Sequence, residues 1–278
     1  MGEIVVGVDG SESSRAALRW AARVAGASGA TLRAVTSWQY PARAGSPTGP
    51  AELPRPAEMD RRTTDDLRAI VGEELETGAD GVQIDVGRGP ASGVLLASAA
   101  RTGVDMLVLG ARGLGGFDGL LLGSVTQQCV EHSPRPVVVL RGDEPPMDGP
   151  IVVGLDGSEG SMRALDWVMD LADATGSELV VVHAPGSDVS DTVLDRAGRA
   201  LDGWCAPIRG RGIAHQRRVE GGDARTALER VADETDAGLL VVGARGLGAV
   251  QGLLLGSVAG YVVRYAPRPI AVVPGPRP

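Results

Sequence analysis

The chain has 278 residues, of which 43% are hydrophobic and 22% charged, so it is long enough for one large or two ordinary globular domains. Its formal net charge of -8 argues against a nucleic-acid backbone as the main partner. No apolar run reaches the roughly 18–20 residues that cross a bilayer, and the N-terminus lacks the basic region of a signal peptide. We therefore expect a cytoplasmic protein without a membrane partner.

In chain order, the first half alternates short apolar runs with helical patterns. The runs predict strands at Ile4–Val8, Leu32–Val35, Val82–Val86, Asp105–Leu109 and Pro136–Leu140. The patterns predict helices that extend from a Ser11 cap to Ala25 and then over Asp65–Leu75, Ala91–Arg101 and Ser124–His132. Residues 37–62, rich in Pro, Gly and Arg, read as a long loop.

The second half repeats the first. "IVVGVDGS" begins at Ile4 and "IVVGLDGS" at Ile151, while "SPRPVVVL" at Ser133 returns as "APRPIAVV" at Ala266. Its strands are expected at Ile151–Leu155, Leu179–Val182, Ile213–Val219, Leu239–Val242 and Pro269–Val273. Five strands alternating with helices predict a doubly wound parallel sheet in each half, an α/β fold of Rossmann-like type. The predicted domains are 1–143 and 150–278, joined by a linker at 144–149.

A glycine-rich segment follows the fourth strand of each half. "GARGLGGFDGLLLGSV" begins at Gly110 and "GARGLGAVQGLLLGSV" at Gly243, so both halves carry the spacing G-x2-G-x9-G-[ST]. Glycines let backbone N–H groups approach a ligand closely, and Gly-Ser before a helix offers a positive dipole end to an anion. Arg112 and Arg245 supply the one cation of each segment. The pattern predicts two sites for a phosphate chain, each opposite the "DGS" turn after the first strand.

The chain resembles tandem universal stress proteins of the ATP-binding branch. The resemblance rests on "VVGVDGS" from Val5, on the pattern D-x-L-V-x-G-x-R-G from Asp105, on the Gly-Ser that opens the last helix, and on "PRPVVVL" from Pro134. It covers nearly the whole chain, once in each half. It implies the strand order 3-2-1-4-5, helices on both faces of the sheet, and ATP bound at the carboxyl edge.

The resemblance also implies a role for particular positions. Asp9 and Asp156 would lie beside the nucleotide, the backbone of Val35 and Val182 near adenine, and Gly110 and Gly243 near the ribose. Val8 and Leu155 complete the expected contacts next to the aspartates. The phosphates would lie against Gly113, Gly123, Ser124 and Val125 in the first half and against Gly246, Gly256, Ser257 and Val258 in the second.

Asp9 and Asp156 raise an electrostatic question, because a carboxylate repels a triphosphate unless it meets a hydroxyl group or a bound Mg²⁺. We therefore expect ATP together with Mg²⁺ as the ligand. A second interpretation makes these aspartates helix caps, although Ser11 and Ser158 are better placed for that. No histidine or cysteine pair has metal-ligand spacing, and His183, Cys129 and Cys205 are interpreted as packing or surface residues.

Three functions remain open at this point. The first is a binding module, in which nucleotide changes a surface for an unidentified regulatory protein and so regulates a stress response or growth arrest. The second is a slow ATPase or self-phosphorylating enzyme with Ser124 or Ser257 as acceptor. All 27 basic residues are arginine, so no P-loop lysine exists, and the sequence fixes no catalytic base. The third is an interaction protein with degenerate sites.

The last strand of each half would form an exposed apolar edge, which is a hazard for uncontrolled pairing. We therefore expect the two halves to pair along these strands, "RPVVVL" from Arg135 and "RPIAVV" from Arg268, as an intramolecular pseudo-dimer. A homodimer of the whole chain stays open.

Overall fold

A computed structural model describes residues 1–40, 54–75, 78–115, 121–142, 148–187, 190–248 and 253–275. Several predictions fall on residues outside these ranges. They are residues 41–53 of the long loop, 144–147 of the linker, and the spacers 116–120 and 249–252 of the two glycine-rich segments.

The strands of the first half are β1 (Glu3–Gly7), β2 (Thr31–Trp38), β3 (Gln83–Arg88), β4 (Val104–Gly110) and β5 (Val137–Leu140). Those of the second half are β6 (Ile151–Gly154), β7 (Leu179–His183), β8 (His215–Val219), β9 (Leu239–Gly243) and β10 (Ile270–Val273). The helices of the first half are α1 (Glu12–Ser28), α2 (Pro56–Glu74), α3 (Ala91–Ala99) and α4 (Ser124–His132), with a 3-10 turn at Ala79–Gly81. Those of the second half are α5 (Glu159–Thr175), α6 (Asp191–Trp204), α7 (Ala206–Arg211), α8 (Ala224–Glu234) and α9 (Ser257–Tyr265).

All the described strands form one sheet in the order β3-β2-β1-β4-β5-β10-β9-β6-β7-β8. Within each half the pairs are parallel and the order is 3-2-1-4-5, which confirms the predicted fold class. The two halves meet where β5 pairs antiparallel with β10, with Val138 opposite Ala271. The expected pairing of the last strands is therefore present, and it removes both apolar edges from solvent.

The sheet separates two hydrophobic cores, and each core continues from one half into the other. One lies under α1, α2, α5, α6 and α7, and the other under α3, α4, α8 and α9. The inner stripe predicted for α1 is buried: Ala17, Leu18, Ala21, Val24 and Ala25. Strands buried on both faces explain why their sequences are continuous apolar runs without alternation.

The predicted loop at residues 37–62 is wrong at both ends. β2 continues to Trp38, and α2 begins at Pro56 rather than Asp65. Proline is favoured in the first turn of a helix, because its fixed φ suits the helix and its missing N–H would have no partner there. The indole Nε1 of Trp38 donates to Asp60 Oδ1 at 2.9 Å and ties the added turns of α2 to the strand. The composition of residues 37–62, rich in Pro, Gly and Arg, gave no sign that β2 and α2 extend into this segment.

Smaller differences concern element ends. The strand predicted at Ile213–Val219 begins at His215. Helix α7 ends at Arg211, its cap residue Gly212 is left-handed, and the Ile213 N–H closes that turn on the Ile208 carbonyl. The helix predicted at Ala91–Arg101 ends at Ala99, whereas Ser124–His132 is confirmed.

Candidate functional site

A cavity of about 440 Å³ lies at the carboxyl ends of β1 and β4, where the winding of the first half reverses. The predicted residues of this half all line it: Val8, Asp9, Val35, Gly110, Arg112, Gly113, Gly123, Ser124 and Val125. Residues that the sequence analysis named in the loops after β1 and after β4 therefore line the same cavity.

The second half forms a smaller cavity of about 230 Å³ at the carboxyl ends of β6 and β9. Its predicted residues also line it without exception: Leu155, Asp156, Val182, Gly243, Arg245, Gly246, Gly256, Ser257 and Val258. The repeat is thus preserved in the arrangement of the cavities, although the cavity volumes differ.

Asp9 joins the two loops of the first cavity. Its Oδ1 accepts from Ser11 N at 3.0 Å and from Ser11 Oγ at 2.6 Å, and its Oδ2 accepts from the backbone N–H of Leu114 at 3.0 Å. A Cβ placed on Gly113 would lie 2.3 Å from Asp9 Oδ2. Glycine is therefore required at position 113 by packing against the Asp9 carboxylate, independently of any ligand.

Asp156 repeats these contacts in the second cavity, accepting from Ser158 N at 3.0 Å and from Leu247 N at 2.9 Å. Burial acts to raise the pKa of Asp156. Hydrogen bonds from Ser158, Leu247 and Ser161 outweigh that burial, so the pKa lies below its usual value. The carboxylate is consequently charged at neutral pH and accepts from the glycine-rich segment at Leu247.

The interpretation of these aspartates as helix caps is only partly right. Ser11 and Ser158 are the N-cap residues of α1 and α5, and their side chains accept from the N–H of Ser14 and Ser161. One oxygen of each aspartate accepts from the N–H of the cap residue, and the second oxygen accepts from Leu114 or Leu247 in the glycine-rich segment.

Gly123 and Gly256 are the N-cap residues of α4 and α9, and neither helix has a side-chain cap. The first N–H groups of such a helix have no partner within the helix, so they are available to an anion at the positive end of the dipole. Each glycine is itself held by its N–H, which donates to Ala111 or Ala244 at 2.8 Å. Arg112 and Arg245 line the same cavities.

Gly110 and Gly243 are required by packing of the backbone. A Cβ on Gly110 would lie 2.6 Å from the backbone carbon of Ser13, and one on Gly243 would lie 2.7 Å from that of Gly160. Both glycines therefore allow the helix after the first strand to approach the fourth strand. That approach brings the Ser13 hydroxyl into a hydrogen bond with the Arg112 carbonyl.

Sequence reasoning missed the apolar wall of each cavity. In the first half the wall comes from α3, through Ala91, Val94 and Leu95, and the polar Thr36 and Ser37 of β2 line the cavity beside it. In the second half it includes Ala184, Ala224 and Leu228. Helix α3 follows a third strand whose neighbouring sequences diverge between the halves, so the repeat gave no signal there. His183, as expected, is a packing residue: its Nδ1 is 2.8 Å from the Leu155 carbonyl and its ring lies against Trp204.

Among the described residues, no group of three or more His, Cys, Asp and Glu side chains could hold a metal ion. In the same part of the chain, no helix combines the length and the apolar character of a membrane span.

Comparisons with known proteins agree with this fold. A crystal structure of a universal stress protein from Archaeoglobus fulgidus superimposes with a TM-score of 0.72 at 22% identity and covers 98% of each chain. A universal stress protein of Mycolicibacterium smegmatis is 33% identical over 97% of this chain and 96% of its own length. One of Mycobacterium tuberculosis is 31% identical over 97% and 95%. The universal stress protein family itself matches twice, over residues 1–141 and 147–274. With two matching regions and relatives aligned from end to end, the chain belongs to the universal stress protein family as a tandem member.

Proposed function

We propose that the chain is an ATP-binding regulatory protein that takes one nucleotide, with Mg²⁺, in each half. The observation that carries this proposal is the convergence, in both halves, of an uncapped helix N-terminus, an arginine and a glycine-rich segment on one cavity. Such a helix end with a cation is suited to phosphate oxygens, and the apolar wall opposite is suited to a base.

The residues fit the ligand as follows. Phosphates would lie against the N–H groups at the start of α4, between Gly113 and Ser124, with Arg112 beside them. Adenine would lie toward Val35 and the apolar wall supplied by α3. Mg²⁺ on the phosphates would offset the charge of Asp9, which lines the same cavity. The second half offers the equivalent positions around Gly246, Ser257 and Arg245.

A binding module fits the aspartates better than an enzyme does. Both oxygens of Asp9 and of Asp156 already accept hydrogen bonds from backbone N–H groups, and the pKa of Asp156 is lowered, which suits a fixed anion more than a proton acceptor. The chain also has no lysine to stabilise a transferred phosphoryl group.

The link to regulation lies in the same segments. Leu114 and Leu247 follow the motif glycines, and 74% and 76% of their surfaces are exposed. Nucleotide that binds Gly113 or Gly246 would fix the segment that carries each leucine, and so change the surface offered to a partner protein.

The test begins with native purification, identification of bound small molecules by mass spectrometry, and calorimetric titration of the stripped protein with ATP and Mg²⁺. Two sites per chain are expected, with one lost in Gly113→Glu and the other in Gly246→Glu. Absence of bound nucleotide together with absence of binding heat and of thermal stabilisation would refute the proposal. Release of ADP at many turnovers per hour would favour the enzyme instead.

A further inference from the structure

Arg141, directly after β5, connects the first cavity to the other half of the chain. Its Nη1 donates to the carbonyl of Leu121, in the segment that leads to Gly123, at 2.8 Å. Its Nη2 donates to the carbonyls of Val263 and Arg264 at the end of α9, the latter at 3.0 Å. The second half thus anchors an arginine that holds the glycine-rich segment of the first.

The positive charge of Arg141 is only weakly offset by these contacts. All three acceptors are neutral carbonyls, although the negative end of the α9 dipole favours a cation there. The Nε atom is buried and has no hydrogen-bond partner among the described residues. Burial, and then the nearby guanidinium of Arg112, lower the pKa of Arg141. An anion at Arg112 would offset the repulsion between the two guanidinium groups, because it would attract both of them.

Within the part of the chain that the structure describes, the second cavity has no counterpart of Arg141. β5 ends at Leu140 and β10 at Val273, so the residue that matches Arg141 is Pro274. Arg112 does have its counterpart in Arg245, which lines the second cavity. Among the described residues, the repeat therefore places two arginines by the first cavity, Arg112 and Arg141, and one by the second, Arg245.

We propose that Arg141 is a positioning residue that makes the first cavity the tighter and more charge-selective polyphosphate site of the two. This inference rests on the proposed function. Arg141 acts in two ways. It binds the Leu121 carbonyl and so positions the backbone just before Gly123 and Ser124, and its positive charge adds to that of Arg112. It does not line the cavity, so the base and ribose do not depend on its charge.

The test measures ATP and adenosine binding in a Gly246→Glu background, where only the first site is open. Arg141→Met should weaken ATP about five- to tenfold, the scale of one partly screened charge, and change adenosine less than about twofold. The control Arg101→Met removes the same charge from the opposite end of β4 and should change neither affinity. An equal loss for ATP and adenosine would show a merely structural role and overturn the inference.

A second measurement leaves Arg141 intact, in case its replacement disturbs folding. ATP affinity is followed from low to high salt in the Gly246→Glu protein and in the Gly113→Glu protein. The first site should lose affinity more steeply, because two cations are screened there. Equal slopes would overturn the inference while leaving ATP binding intact. Absence of ATP binding to the unaltered chain would refute the proposed function itself.

Discussion

The Oδ2 atom of Asp9 accepts a hydrogen bond of 3.0 Å from the backbone N–H of Leu114, across a sequence separation of 105 residues. The same bond joins Asp156 to Leu247 at 2.9 Å in the second half. Each bond needs a glycine immediately before the leucine, because any side chain there would strike the carboxylate.

Replacing Gly113 with alanine should break this contact. The new Cβ would lie 2.3 Å from Asp9 Oδ2, so the carboxylate must move away from Leu114. We expect a loss of about 1–3 kcal/mol in the free energy of unfolding, measured by urea titration, and ATP binding at the first site weakened at least about tenfold. Gly115→Ala is the control, since a Cβ there meets nothing within 4 Å. Equal stabilities of the two variants would contradict the contact.

The carboxylate of Asp156 should make stability depend on pH. Because its pKa is lowered in the folded chain, its contribution is present above the unfolded value of about 3.9 and is lost as pH falls through the folded pKa. Asp156→Asn should therefore lower the urea midpoint at pH 7, and the difference from the unaltered chain should shrink below about pH 4. The exposed Asp195→Asn serves as control. A difference that stays constant down to pH 3 would argue against this role.

The seam between the halves, where β5 pairs antiparallel with β10, should not tolerate a buried charge. Ala271 in β10 is fully buried opposite Val138 of β5. Ala271→Asp buries an unpaired carboxylate, so we expect about 3 kcal/mol or more to be lost from the free energy of unfolding, measured by calorimetry and urea titration. Gln216→Asp places the same group on the exposed edge strand β8 and should cost less than about 0.5 kcal/mol. Similar losses in both variants would show that burial at the seam contributes little to the free energy of unfolding.

Both cysteines should resist thiol reagents in the folded chain. Burial raises the pKa of Cys129 to about 12 and also raises that of Cys205. At pH 8 a thiol with a pKa near 12 is ionised to about one part in 10,000, and the thiolate is the reactive form. A colorimetric thiol assay should detect almost no free thiol in native protein and two per chain in urea. Rapid reaction of the native chain would contradict this packing.

The sequence predicted the fold well because its information was duplicated. Strands of the two halves could be aligned with each other, and buried parallel strands leave the continuous apolar runs seen around Val5 and Val152. The start of α2 could not be predicted in this way, because the second half has no equivalent of the segment before Pro56. Its helical turns depend on tertiary contacts such as that between Trp38 and Asp60.

Part of the candidate site was predictable, because a backbone that approaches an anion closely favours glycine, and glycines are visible in the sequence. Glycines and the Gly-Ser pair marked the loops, and every residue chosen in this way lines a cavity. The contact of Arg141 with Leu121 and with Val263 left no such mark. It joins a residue beside the linker to a helix of the other half, and only the antiparallel seam brings these together.

That seam also decides how the protein presents its cavities. Since β10 runs against β5, the carboxyl ends of one half's strands lie at the same border of the sheet as the amino ends of the other's. The two cavities consequently lie at opposite borders of the sheet. Under the proposed function, a protein that recognises a filled cavity would therefore meet two such surfaces, one at each border of the sheet.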